Sequence, residues 1–99
     1  MAAYLLVEAE VTDRDRFTLY AKKVRELVGR HGGEYLVIGG PIELLETEDR
    51  SDNGRTIVIS RWPSRQSARD FWNSSEYREL KQLRKDAARV RVRLTRGLQ

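Results

Sequence analysis

The chain has 99 residues, 19 basic against 15 acidic side chains, a formal net charge of +4, 39% hydrophobic and 34% charged residues. That length allows one domain, residues 1–99, and a monomer of this size buries only about two-thirds of its unfolded surface, so a second copy would add stability. There is no cysteine and a single histidine, which excludes a disulfide scaffold, a thiolate metal site, a cysteine nucleophile and a multi-histidine metal centre within one chain. No apolar run approaches the roughly 20 residues needed to cross a membrane. Met1-Ala2-Ala3-Tyr4 leads straight into an alternating segment without a basic n-region, so no signal peptide is expected and the chain is read as cytoplasmic.

Residues Tyr4 to Val11 alternate. Leu5, Val7, Ala9 and Val11 point one way, and Tyr4, Leu6, Glu8 and Glu10 the other, the period of a half-buried strand. Thr12 and Asp13 can cap a helix. Phe17, Tyr20, Ala21, Val24, Leu27, Val28 and His31 then form one apolar stripe at helical spacing. Gly32-Gly33 ends it. Tyr35 to Ile38 is a short strand, broken by Gly39-Gly40-Pro41. Ile42 to Glu46 reads as a second extended piece. Thr47 to Arg55 is polar, with Asp52-Asn53-Gly54 as a turn signal, and reads as an exposed hairpin loop.

Thr56 to Trp62 is the next strand, with Ile57 and Ile59 expected on the helix-facing side and Val58 and Ser60 on the other. Pro63 stops it and Ser64 is a plausible N-cap. Ala68, Phe71 and Trp72 form the buried side of a second helical region. Asn73-Ser74-Ser75 interrupts it, and Ser74 or Ser75 caps its continuation. Tyr77, Leu80, Leu83, Arg84 and Ala87 carry the stripe onward. Val90, Val92 and Leu94 alternate with Arg89, Arg91 and Arg93 in a last strand. The order is the ferredoxin-like βαββαβ pattern of the α+β class, an antiparallel sheet with both helices on one face.

The face left uncovered is expected to carry Tyr4, Leu6, Glu8, Glu10, Val58, Ser60 and the three arginines of the last strand, joined by Tyr35 and Val37. So broad an apolar centre is unusual on a monomer and points to a homodimer, sheet face against sheet face. The first and last strands are expected to be antiparallel neighbours, which would let Glu8 and Glu10 pair with Arg91 and Arg93. Residues 1–60 hold 8 basic and 11 acidic side chains, and residues 61–99 hold 11 and 4, so a net −3 faces a net +7 along the chain. Pairing within the sheet and across a dimer is the expected reading of this contrast, with the excess on the second helix left pointing outward.

Several segments resemble a known family. They are His31-Gly32-Gly33-Glu34-Tyr35-Leu36-Val37, Gly39-Gly40, Ile57-Val58-Ile59 running into Trp62-Pro63-Ser64, Ala68-Arg69-Asp70-Phe71-Trp72, and Ser74-Ser75-Glu76-Tyr77 with Arg84 after them. The chain resembles, over nearly its whole length, family 1330 of the domains of unknown function, in the dimeric α/β-barrel superfamily. The resemblance implies a ferredoxin-like homodimer whose sheets form a barrel, and it implies no reaction. Two positions depart from the family's usual pattern. Ile38 stands where Arg usually precedes the Gly-Gly pair, and Arg61 where Glu usually stands two residues before Pro-Ser.

Tyr20, Arg61, Trp62, Tyr77 and Arg84 are the candidate ligand-binding residues, lining a pocket between sheet and helices. Arg84 falls on the inner stripe of its helix, and a buried Arg needs a carboxylate from protein or ligand. His31, at the end of the first helix, is the candidate proton carrier, set against a simpler role in capping or packing. The glycine pairs are turns rather than phosphate loops, since neither GxGxxG nor a Walker sequence is present. Ser64, Ser74 and Ser75 fit as caps rather than nucleophiles. No cofactor or metal is expected. The RNA-recognition motif shares this topology but stacks bases on aromatics in its third strand, and here that strand has none before Trp62. The basic second helix (Arg78, Lys81, Arg84, Lys85) leaves nucleic-acid association as a third alternative. The first expectation is a homodimer binding a small organic acid or enol, with or without cofactor-free catalysis; the second is a non-catalytic ligand-binding or stress-response dimer.

Overall fold

A computed structural model describes residues 1–39, 42–49 and 55–98. The elements run β1 (Ala3–Val11), α1 (Arg14–Arg30), β2 (Glu34–Ile38), β3 (Thr56–Trp62), α2 (Arg65–Trp72), α3 (Ser75–Arg84) and β4 (Ala88–Arg96). The sheet order is β2-β3-β1-β4, antiparallel throughout. This is the ferredoxin-like α+β fold. Ile42 to Glu46, expected as an extended piece, forms no strand. Most of the expected hairpin loop at 47–55, including its turn signal, lies outside the described residues.

Local chemistry sets the helix boundaries. The Asp13 side chain accepts from the Arg16 N–H and caps α1. Gly32, at φ 88°, ends that helix in the left-handed conformation. Ser64 and Ser67 exchange hydrogen bonds in a capping box at the start of α2. Ser74 recaps the chain into α3 by accepting from the Tyr77 N–H. Arg16 ties the two long helices together. Its Nε donates to the Leu83 carbonyl at 2.8 Å and its Nη2 to the Gln82 carbonyl at 3.1 Å. It thereby satisfies free carbonyls in the last turn of α3, where Arg84 lies.

The core lies between helices and sheet. Trp62, Tyr77 and Leu27 are its largest fully buried side chains. Trp62 packs on Phe71 with ring centroids 4.9 Å apart, and Phe71 packs on Tyr77 at 4.8 Å. The chain passes so close to Trp62 at residue 33 that a Cβ there would lie 2.7 Å from the indole, which is why Gly33 stands at that position.

Register decides which residues face the helices. Ala3, Leu5, Val7 and Ala9 of β1 lie opposite Trp62, Ser60, Val58 and Thr56 of β3, and Leu5, Val7 and Ala9 lie opposite Leu94, Val92 and Val90 of β4. Ala3, Leu5, Ala9, Ser60 and Trp62 are buried under the helices. The expected faces of β3 are therefore reversed: Val58 and Ser60 point to the helices, and Ile57, Ile59 and Arg61 to the open face. Trp62 is the cause. It is the bulkiest side chain of the strand, its burial fixes the phase, and period two carries that phase back through Ser60 and Val58.

β2 holds a second correction. Tyr35 lies opposite Ser60 and Val37 opposite Ile59, with a register shift between them. The extra residue, Leu36, lets Tyr35 and Ile38 both face the helices while Val37 faces out. Tyr35 was expected on the open face with Val37.

The open face carries Tyr4, Leu6, Glu8 and Glu10 beside Ile57, Ile59 and Arg61 on one side and Arg89, Arg91 and Arg93 on the other. The ion pairs differ from the expected ladder. Glu8 lies opposite Arg91, yet its carboxylate bonds diagonally to Arg93 at 2.5 Å and also reaches Arg55 at 3.5 Å. Among the described residues, Glu10 forms no ion pair with Arg89, Arg91 or Arg93.

Candidate functional site

Between α1, α3 and the sheet lies a cavity of about 350 Å³. Its walls are mostly apolar: Leu5, Val7, Val58 and Val92 from the sheet, Phe17 and Val24 from α1. Polar chemistry gathers in a group of side chains from three different elements. Tyr20 comes from α1, Tyr35 from β2, and Tyr77 and Arg84 from α3. The helical spacing of seven residues places Tyr77 and Arg84 on one side of α3, two turns apart.

The Tyr20 and Tyr77 hydroxyls are 2.8 Å apart, and Arg84 Nη1 donates to the Tyr77 hydroxyl at 3.3 Å. The guanidinium of Arg84 also sits 6.0 Å from the Tyr20 ring and 5.9 Å from the Trp72 ring. Arg84 is 9% exposed. No carboxylate lies within ion-pair distance of it among the described residues. A cation in apolar surroundings without a counter-ion is costly, and the aromatic faces offset only part of that cost.

Hydrogen-bond arithmetic makes the site donor-rich. Tyr20 and Tyr77 hold two hydroxyl hydrogens and share one bond, so one O–H is left to point elsewhere whichever of them donates. Arg84 keeps further N–H groups. Tyr35 adds a hydroxyl with no hydrogen-bond partner among the described residues. None of the described side chains lining the cavity is a carboxylate or an imidazole.

Burial makes these hydroxyls harder still to ionise. It raises the Tyr20 hydroxyl above its ordinary value of 10, against the bond from Tyr77 and the charge of Arg84. Burial pushes Tyr35 up to about 12, with nearby Tyr20 adding to the shift. Burial pushes Tyr77 up furthest, helped by Tyr20 and opposed by Arg84. At neutral pH the group is three neutral phenols and one cation, suited to an acceptor that carries negative charge. Lys22 and Arg25, both exposed on α1, stand at the rim of the cavity and extend the positive potential outward.

The structure brings together three of the candidate residues, Tyr20, Tyr77 and Arg84, and separates the rest. Trp62 lies fully buried beneath Phe71, its Nε1 donating to Ser60 Oγ at 2.9 Å, and does not line the cavity. Arg61 is exposed on the opposite side of the sheet, across from Glu34. Ile38 lies opposite Val58, so positions 38 and 61 are not partners. His31 caps the end of α1, its ring edge on Phe71 at 5.8 Å and its Nε2 3.9 Å from Glu76 Oε1, outside the cavity. Glu76 is held more closely by Arg30, at 3.1 Å.

Sequence reasoning missed Tyr35 and the positioning role of Arg16. Arg16 reads as one surface Arg among many. Tyr35 is hidden by the bulge, although it sits in the Gly-Gly-Glu-Tyr-Leu segment that carries the family resemblance.

The fold and the cavity define the class: a ferredoxin-like domain with a donor-lined pocket under its helices. The structure of RPA0582 from Rhodopseudomonas palustris, a protein of unknown function, superposes with a TM-score of 0.82 at 18% identity, covering 99% of this chain and 83% of that chain. SnoaB from Streptomyces nogalater, a cofactor-independent oxygenase, superposes with a TM-score of 0.71 at 12% identity, over 99% of this chain and 94% of that chain. These likenesses concern the fold. The chain belongs to the family described as Domain of unknown function (DUF1330), whose model matches residues 2–98. No curated protein matches the chain. No helix among the described residues is long and apolar enough to cross a membrane.

Proposed function

We infer that the protein is a cytoplasmic homodimer that binds a small organic acid, a carboxylate or an enolate on a largely apolar body, in the cavity under its helices. One observation carries this reading: Arg84 is a buried cation with no carboxylate partner among the described residues, at the polar end of an apolar cavity. The ligand's oxyanion completes the charge balance, and Tyr77 and Tyr20 supply a neutral donor beside it. Such a constellation stabilises an enolate as well as a carboxylate, which makes cofactor-free chemistry on an ionised substrate compatible with the site. SnoaB, described as a cofactor-independent oxygenase, supports that possibility through fold alone.

A second reading, binding without reaction, is favoured by a specific observation. His31 stands outside the cavity, and among the described residues no cavity-lining side chain is a carboxylate or imidazole that could act as base. The sheet-to-sheet homodimer is supported by the apolar strip of Leu6, Ile57, Ile59 and Val37 on the open face.

Calorimetry and thermal melting with benzoate, 2-naphthoate and 4-hydroxycoumarin test the reading. At a hundredfold excess over Kd, a bound acid stabilises the fold by about 2.7 kcal/mol. Arg84→Gln is expected to weaken binding of that acid at least tenfold, since a hydrogen bond to a charged group contributes about 1.5–3 kcal/mol. If no acid in the series binds, or if Arg84→Gln binds as tightly as the native chain, the reading fails.

A further inference from the structure

We propose that the Tyr35 hydroxyl is a direct donor to the bound acid and makes the cavity selective for an oxyanion over an apolar molecule of the same shape. The proposal rests on the reading of the cavity as an acid-binding site. It starts from the backbone. β2 is an edge strand, and its bulge is confined to the step between Tyr35 and Val37. Regular alternation would turn residues 35 and 37 to one face and residue 38 to the other. The extra residue instead directs both Tyr35 and Ile38 into the cavity. Bulges are found next to sites where a side chain must be re-aimed.

The second part is an accounting of hydrogen bonds. Tyr35 is half-buried and lines the cavity, yet its hydroxyl has no partner among the described residues. Tyr20 and the rim residue Arg25 act electrostatically on its ionisation, and Tyr35 in turn acts on that of Tyr77. Tyr35 lines the same cavity as Tyr20, Tyr77 and Arg84, entering it from the sheet rather than from the helices. A phenol needs an acceptor once a ligand excludes water from it. An acid bound in the cavity that Tyr35 and Arg84 both line brings an oxygen that can serve as that acceptor. An apolar ligand would leave the hydroxyl unsatisfied, so Tyr35 discriminates by penalty as well as by attraction.

The experiment compares 2-naphthoate with naphthalene as probes, on the full-length native protein, Tyr35→Phe and Arg84→Gln. Removing one hydroxyl while keeping the ring is expected to weaken 2-naphthoate about tenfold and to leave naphthalene unchanged or bound more tightly. Melting curves of the three proteins without ligand show whether the fold is intact. A merely structural role for Tyr35 would move both probes alike, and that outcome overturns the proposal. So does undiminished 2-naphthoate binding by Tyr35→Phe; with Arg84→Gln impaired, the acid-binding reading survives and only the Tyr35 assignment falls. If Arg84→Gln also binds normally, or the native chain binds no 2-naphthoate, both fall together.

Discussion

The two faces of the sheet are made from alternate residues of the same strands, and they handle charge in opposite ways. On the open face Glu8 holds Arg93 and Arg55 beside an apolar strip of Leu6, Ile57 and Ile59. Under the helices the neighbouring residues of β1, β3 and β4 are Leu5, Val7, Val58, Val90 and Val92, and the cation they surround, Arg84, has no carboxylate among the described residues. The outer face has carboxylates among its arginines, with Glu8 ion-paired, and is exposed in its hydrophobic groups. The inner face is closed to water over much of its area and unbalanced in charge. Apolar cover would suit the one and an anion the other, which is why a second copy and a small acid are the partners proposed for the two sides.

The largest effect is expected from a charge placed in the apolar strip. Ile59→Asp puts a carboxylate where two copies would meet, and two-fold symmetry counts the penalty twice. At about 2 kcal/mol or more per copy, the substitution should turn a dimer at low micromolar concentration into a monomer by sedimentation, while 2-naphthoate binding in the cavity persists. A native chain that is already monomeric there, or a dimer indifferent to Ile59→Asp, would break the assignment of the open face to self-association.

Alkaline titration sharpens the contrast from the inside. The hydroxyls of Tyr20, Tyr35 and Tyr77 are raised in the folded chain, Tyr35 to about 12, whereas the unfolded chain ionises them near 10. Below the unfolded value both states keep their protons and stability is unaffected. Above it the unfolded state releases protons that the folded state retains, so stability falls as pH rises from about 10 toward the folded values. Urea midpoints should be level up to about pH 9.5 and decline beyond it. Tyr77→Phe and Tyr35→Phe should each flatten the decline. An unchanged slope in both variants would mean that these hydroxyls are not protected by burial.

How much of this was legible beforehand differs between helices and sheet. The stripe Tyr20, Val24, Leu27, Val28 and the pair Tyr77, Arg84 followed from helical spacing, because one face of a helix repeats without ambiguity. The strand order followed from the βαββαβ pattern. The faces of β3 were misjudged because Ile57 and Ile59 are more apolar than Val58 and Ser60, and both faces of this sheet carry hydrophobic residues. Alternation fixes a period but not a phase when neither face is plainly polar. Only the burial of Trp62 settles it. Tyr35 was misplaced for a different reason: a bulge breaks the period itself, and Tyr-Leu-Val-Ile gives no sign of where the extra residue falls. Arg61 went astray with the phase of β3, and His31 was promoted only because it is the one imidazole in the chain.

The smallest effect belongs to the salt bridges outside. Glu8 reaches Arg93 and Arg55 on a face where Arg93 is largely exposed, its side chain 59% accessible. Solvent screens such a pair, and its contribution to folding is about 0.2–1 kcal/mol. Glu8→Gln in the separated chain, made monomeric by Ile59→Asp, should therefore shift the urea midpoint only slightly. In the proposed dimer the same substitution is expected to act differently. It would leave Arg55 and Arg93 without their carboxylate at an interface that excludes water, where an unpaired cation costs several times more than at a surface. The effect of Glu8→Gln on dimer dissociation should thus exceed its effect on monomer unfolding, and should shrink as salt is raised. Equal effects in monomer and dimer would place Glu8 outside the contact and confine the interface to the β2–β3 side of the sheet.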